Sequence, residues 1–167
     1  MELVLVRHAD AEPNGAYAED ALRPLTHRGR RIQEQVAAAL SDMGLRPDRL
    51  LCSPRLRAWE TAEILSEMLG AAEPEQLQVL DGGYGTGELV RTLARYPEHQ
   101  RLLCVGHQPD IGTWAGELLC ALGPVHMEFP KSAVLGLAFD GPLQAGAGIL
   151  QFFYRPRDLQ PLLGDHP

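Results

Sequence analysis

The sequence predicts an α/β fold, a three-layer α/β/α sandwich around a mostly parallel sheet, in a single domain spanning residues 1–167. Three observations carry this reading. Short apolar runs alternate with longer segments of helical periodicity along the chain. The run at residues 3–6, LVLV, is apolar at every position, as strands buried on both faces of a parallel sheet are. A chain of 167 residues also suits one substantial core better than two.

In chain order, LVLV is the first strand. Over residues 26–43 the apolar Ile32, Val36, Leu40 and Met43 recur at helical spacing, with Thr26 as N-cap and Gly44 as the stop. RLLC at Arg49–Cys52 is a second strand. The next helix is expected to have Ser53 as its cap and Pro54 in its first position. Its apolar stripe is Ala58, Ala62, Leu65 and Leu69, and Gly70 ends it. LQVL at 77–80 reads as a short strand, DGGYGTG as a turning loop, and residues 88–96 as a helix. RLLCVG is a third strand, and residues 109–122 form a helix ending at Gly123-Pro124. AVLGLAF and ILQFFY form a terminal antiparallel pair across a glycine-rich loop. The proline-rich tail after Tyr154 is expected to pack loosely.

Composition narrows the function classes. Hydrophobic residues at 45% and charged residues at 22% exclude wholesale disorder. A formal net charge of -7 argues against nucleic acid or an anionic membrane as partner, so an anion site must be a local basic cluster on an acidic body. No run approaches the roughly 18 continuous apolar residues of a membrane span, and no signal peptide is read at the N-terminus. Cys52 and Cys104 lie inside apolar runs and read as buried thiols, so the expected compartment is a reducing cytoplasm.

Ligands of parallel sheets collect beyond the carboxyl ends of the strands. Three strands here end in unusual residues: Arg7-His8, SPRLRA and GHQP. Were those strands neighbours, His8, His107 and at least two arginines would converge, with Arg57 in the first turn of a helix, where anions are favoured. Guanidinium forks bind phosphoryl oxygens bidentately, and two imidazoles would lie within reach. Arg7-His8 alone is equally a solvated strand end. His27, His99 and His126 lack such a setting and read as surface or loop residues. A His8–His107 metal site has no evident third ligand, and neighbouring arginines repel a cation, so neither metal nor cofactor is expected. Asp10 and Glu12 read as loop carboxylates, one of them able to orient an arginine. Arg30, Arg31 and Arg55 read as solvated helix faces, with Arg55 able to edge the pocket.

Other phosphate chemistries fail on inspection. A cysteine phosphatase needs an arginine six positions after its cysteine; Cys52, Cys104 and Cys120 are followed there by Ala58, Asp110 and His126. Lys131-Ser132 lacks the glycines of a P-loop, and GGYGTG lacks the full dinucleotide fingerprint.

LVRHADA, RPLTHRG, SPRLRAWETA and VGHQPDIG occur in the order and spacing of the histidine phosphatase (phosphoglycerate-mutase-like) superfamily, which the chain resembles from residue 3 to about residue 139. RPLTxxG followed by SPxLRAxxT is most similar to its bacterial SixA-like phosphohistidine phosphatase branch. The resemblance implies a phosphoglycerate-mutase-like fold and a metal-independent phosphatase working through a phosphohistidine intermediate. It implies His8 as nucleophile, Arg7 and Arg57 as phosphoryl ligands, His107 as the second imidazole and Arg23 as a further basic contact. Ala9 stands where the family usually has glycine. A required positive φ would strain it, and we expect the methyl to be tolerated with a slight shift of the loop.

A general acid is the missing piece. Larger relatives carry a glutamate that protonates an alkoxide leaving group, and here Asp81 and Glu88 are the only candidates in the corresponding region. Imidazole, with a reference pKa of about 6.5, leaves far more easily than an alkoxide. The expected substrate is therefore a phosphorylated histidine on a protein, as in phosphorelay signalling. A small phosphomonoester is the alternative, and a phosphate-recognition module without turnover a third.

Overall fold

A computed structural model describes residues 1–97, 100–120, 122–123 and 125–159. Six strands form one sheet: β1 (Glu2–Arg7), β2 (Arg49–Cys52), β3 (Glu75–Gln76), β4 (Arg101–Gly106), β5 (Val134–Ala138) and β6 (Ile149–Tyr154). Their order is β3-β2-β4-β1-β5-β6. The first four in that order are mutually parallel, and β5 runs antiparallel to both β1 and β6. Five helices accompany them: α1 (His27–Asp42), α2 (Leu56–Leu69), α3 (Thr86–Leu93), α4 (Asp110–Leu119) and the short α5 (Pro156–Leu159).

The two-residue period of the strands sorts the core into two layers. Leu3 and Leu5 of β1, Leu51 of β2, and Leu102 and Cys104 of β4 pack with Leu89 and Leu93 of α3 and Trp114 and Leu118 of α4. Val4, Val6, Leu50, Cys52, Leu103 and Val105 point the other way, onto Val36 and Leu40 of α1 and Ala62 and Leu65 of α2. Both faces of the central strands are thus covered, which is why those strands read as continuous apolar runs. Burial pushes the Cys52 thiol up to about 12, with Glu63 adding to the shift, so this cysteine is an inert core residue.

Thr26 caps α1 as its sequence implies, its hydroxyl accepting from the Gly29 amide at 2.9 Å, and Gly44 follows the helix with φ 79°. Four expectations need correction. Helix α2 starts at Leu56 with Arg55 as its N-cap, so Ser53 and Pro54 precede it; the Ser53 hydroxyl is instead drawn toward His107 and Asp81. The stretch 77–80 is not a strand. Leu77 still bonds the Cys52 carbonyl at 2.9 Å, but the chain then coils into a 3-10 turn over Gln78–Asp81 that buries Val79 and Leu80 in the core. Helices α3 and α4 end at Leu93 and Leu119, short of the expected 96 and 122; Cys120 is already extended, and Pro124 lies outside the described residues. The start of the tail does not pack loosely. Asp158 binds the amide and guanidinium of Arg155, and Leu159 is buried in the layer under α1. Residues 160–167 lie outside the described residues, as does His99. Among the described residues no helix is long and apolar enough to cross a membrane.

Gly29 is demanded by close approach. A Cβ on Gly29, in the first turn of α1, would lie 2.1 Å from the carbonyl oxygen of Asp10, which also accepts from the Thr26 amide. Gly29→Ala should therefore push α1 away from the loop after β1 and cost about 1–3 kcal/mol, read as a lowered midpoint in thermal or urea unfolding. An unchanged midpoint would contradict this packing.

Candidate active site

Strand pairing assembles the site. In the parallel register of β1 on β4, Arg7 lies opposite Gly106, so the residues that follow them, His8 and His107, emerge side by side. The His8 amide continues the ladder to the Gly106 carbonyl at 3.1 Å, and the two imidazole centroids are 5.0 Å apart. On the other side of β4, Cys52 of β2 lies opposite Val105, and the Ser53 amide bonds the Val105 carbonyl at 3.0 Å. Three adjacent strand ends thus meet, as the sequence anticipates. A cavity of about 660 Å³ opens above them, lined by Arg7, His8, Arg23, Arg57 and His107. Asp81 lines it as well, and Glu88 does not. Glu88 faces a separate cleft with Glu75, Tyr84 and Arg95, because α3 turns it away from the strand ends.

His8 is buried, and its Nδ1 is 2.7 Å from the carbonyl of Ala9. A carbonyl only accepts, so Nδ1 carries the proton of the neutral ring and Nε2 holds a lone pair. Burial, with His107 and the charges of Arg57 and Arg7 adding to it and the hydrogen bond to Ala9 opposing, lowers the His8 pKa to about 3. Burial likewise lowers His107 to about 4, with Arg57 and Arg55 adding to the effect and Asp81 and Asp20 opposing it. Both rings are neutral at pH 7.

Asp81 sits close to these groups in a state that suits an acceptor. Burial works to raise its pKa, but the Arg55 guanidinium at 2.5 Å and the Ser53 hydroxyl at 3.2 Å outweigh it, and the carboxyl is held below its ordinary range. A carboxylate only accepts, so the single Ser53 proton goes to Asp81. The 2.8 Å contact of Ser53 Oγ with His107 is then donated by His107 Nε2–H. His107 Nδ1 is left buried and without a partner among the described residues.

The arginines come from three places. Arg7 ends β1 and donates to the Phe129 carbonyl at 2.6 Å. Arg57 lies in the first turn of α2, almost fully buried, with its Nε unpartnered. Arg23 arrives through the loop after β1, which folds back on itself at an isolated Ala11–Leu25 bridge; its Nη1 donates to the Glu12 carbonyl at 2.6 Å. Arg55 lines the cavity, whereas Arg30 pairs with Glu60 at 2.8 Å and Arg31 is exposed, as are His27 and His126. Among the described residues neither Asp10 nor Glu12 orients an arginine with its carboxylate; Asp10 pairs with Lys131 and accepts from Thr26.

Ala9 is fully buried in the layer beneath α1 and α2, and its amide donates to the Thr61 hydroxyl at 3.0 Å. Ser132 is the one non-glycine with positive φ among the described residues, so position 9 has ordinary backbone and alanine is unstrained there. Ser132 itself, at φ 62°, holds the end of β1 by donating its amide to the Arg7 carbonyl at 3.1 Å. Four site residues escape the sequence reading. Ser53 reads as a helix cap, and Asp20 is marked only by its i,i+3 spacing to Arg23. Asp110 is marked only by following the GHQP motif. Lys131 has no local signal, since the turn into β5 brings it to the rim.

Residues 3–85 match the histidine phosphatase superfamily (branch 1). The chain belongs to the histidine phosphatase superfamily. A solved structure of the protein histidine phosphatase SixA, complexed with tungstate, superposes with a TM-score of 0.83 at 28% identity, covering 95% of this chain and 99% of that one. Phosphohistidine phosphatase SixA of Escherichia coli is 28% identical over 165 residues, 96% of this chain and 97% of its own length. An uncharacterised protein of Picosynechococcus is 37% identical over 139 residues, 82% of this chain and 84% of its own. The fold is therefore phosphoglycerate-mutase-like, and superfamily membership makes the chain a phosphatase.

Two outcomes follow from this geometry. Ala9→Gly should remove a buried methyl and cost about 1 kcal/mol of stability with no gain in turnover; faster turnover would mean that position 9 needs glycine's freedom. His8 and His107 bind protons less readily folded than unfolded, so their contribution is intact above about pH 6.5 and is lost as pH falls through 4 and 3. His8→Gln should become less destabilised than wild type between pH 7 and 4 in urea unfolding, and parallel pH profiles would contradict the burial of a neutral His8.

Proposed function

We propose that this protein is a protein phosphohistidine phosphatase acting in phosphorelay signalling, with residues 1–167 forming one catalytic domain. The observation that carries the reading is a neutral His8 with Nδ1 committed to Ala9 and Nε2 free, set among arginines, with Asp81 ionised and Glu88 in another cleft. Nε2 attacks phosphorus as the P–N bond to the substrate histidine breaks, and the substrate ring, protonated on its other nitrogen, keeps the bonding pair and departs as neutral imidazole. Arg7, Arg57 and Arg23 hold the phosphoryl oxygens, so charge is stabilised by fixed cations as in other phosphoryl transfers. As the dianion enters, His107 Nδ1 binds a proton from solvent and donates a hydrogen bond to a phosphoryl oxygen, and it returns that proton to solvent when phosphate leaves. Water then attacks the phosphorus on His8, the P–Nε2 bond breaks with its pair returning to Nε2, and phosphate leaves carrying both of the water's protons, as dihydrogen phosphate.

Asp81 does not suit the role of general acid, because an ionised carboxylate committed to Arg55 and Ser53 has no proton to give. Glu88 is in another cleft. This favours a leaving group that needs no strong acid, which a phosphoramidate supplies and an alkyl phosphate does not. The SixA relatives, one of them bound to a tetrahedral oxyanion, support the same substrate. Three free thiols, two of them buried, fit a reducing cytoplasm.

A small phosphomonoester remains a second reading on one observation. The Asp110 side chain lines the cavity without a cationic partner among the described residues, and in its carboxylic acid form it would protonate an alkoxide. A binding module without turnover is disfavoured by the unstrained Ala9 and the intact set of charged side chains.

A radiolabelled phosphohistidine protein separates these readings. Wild type should release inorganic phosphate, and His8→Ala should lose at least about a thousandfold in rate, the scale of removing a nucleophile. Glu88→Gln should match wild type. Release undiminished in His8→Ala would sink the mechanism. Preference for small phosphomonoesters, abolished in Asp110→Asn, would install the second reading.

A further inference from the structure

The segment between β1 and α1 carries an arrangement that the transfer chemistry does not itself require. Residues 14–22 are exposed and contain only the 3-10 turn Asp20–Leu22, which buries nothing. Yet one carboxylate on this segment engages three arginines of the site. Asp20 Oδ1 accepts from Arg23 Nε at 2.7 Å, and Oδ2 accepts from Arg55 Nη1 at 2.9 Å and from Arg57 Nη2 at 3.2 Å. The Asp20 carbonyl accepts from Arg57 Nη1 at 2.9 Å.

Three guanidiniums do not gather without compensation. After burial and against Asp20's opposing charge, Arg23 and Arg55 each depress the pKa of Arg57. A single carboxylate shared among them offsets that repulsion at contact distance, where Coulomb energies are largest. It also leaves donors free. Each guanidinium has five N–H groups, and Asp20 uses one from Arg23, one from Arg55 and two from Arg57. Arg57 Nε has no partner among the described residues. Arg7, Arg23, Arg55 and Arg57 line the cavity, and the carboxylates paired with them are two, Asp20 and Asp81.

We propose that Asp20 is the positioning residue for phosphoryl binding: its carboxylate gathers Arg23, Arg55 and Arg57 into one cradle and aims their remaining N–H groups at the anion. The proposal rests on the phosphatase reading, because it assigns those arginines to the phosphoryl group. It acts through the arginines and touches neither phosphorus nor the leaving group.

Tungstate binding by calorimetry tests it, together with kinetics on a phosphohistidine protein and thermal unfolding. Asp20→Asn and Asp20→Ala should each weaken tungstate binding by about tenfold or more, a change of about 1.4 kcal/mol. KM should rise more than kcat falls, and Asp20→Glu should recover part of the affinity. Thermal unfolding should show each variant still folded at the assay temperature, since the turn carrying Asp20 is exposed and buries nothing. Unchanged tungstate affinity in Asp20→Asn would overturn the proposal. Tighter binding would also overturn it, by showing that Asp20 competes for the arginines. Failure of the wild type to bind tungstate would overturn the phosphoryl site itself, and the proposal with it.

Discussion

Everything at this site depends on the parallel pairing of β1 with β4. Six consecutive residue pairs fix the register, from Glu2 opposite Arg101 to Arg7 opposite Gly106. A slip of one residue would turn every side chain of β1 to the other face. It would drive Val4 and Val6 into the layer of Trp114 and separate His8 from His107. The two-layered core thus does more than stabilise the fold. It holds two imidazoles within 5.0 Å without any direct bond between them.

Desolvation has opposite consequences for the groups gathered there. It keeps the histidines neutral, so that His8 offers a lone pair at ordinary pH. It also raises the cost of each buried guanidinium, which is why Arg7 and Arg57 titrate below their ordinary value. Backbone carbonyls of Phe129, Glu12 and Asp20 and the carboxylates of Asp20 and Asp81 meet part of that cost. The result is a site that is cationic at its floor on a protein that is acidic as a whole. Glu12 and Asp110 line the same cavity.

Much of this was legible in the residues themselves. The apolar strands of β1, β2 and β4 and the cap and stop of α1 follow from periodicity and from Thr26 and Gly44. Convergence of Arg7, His8, Arg57 and His107 follows once three such strands are neighbours. What escaped detection depends on contacts distant in sequence. Ser53 has the ordinary appearance of a helix cap, and only the neighbouring strand end reveals its bond to His107. Residues 77–80 carry a strand's composition, yet burial of Val79 and Leu80 coils them. Asp20 lies in a polar stretch without periodicity, and its partners Arg55 and Arg57 are more than thirty residues away. Ala9 posed a question of backbone conformation that only its φ and its contact with Thr61 could answer.

The most direct measurement is the position of the phosphoryl group during turnover. Rapid acid-free quenching of the enzyme with a phosphohistidine protein, followed by mass spectrometry and phosphorus NMR, should find an acid-labile phosphoryl group on His8. It should be bonded to Nε2, because Nδ1 is held by the Ala9 carbonyl. Turnover without a phosphoenzyme, or with the label on any other residue or on Nδ1, would contradict the mechanism at its root.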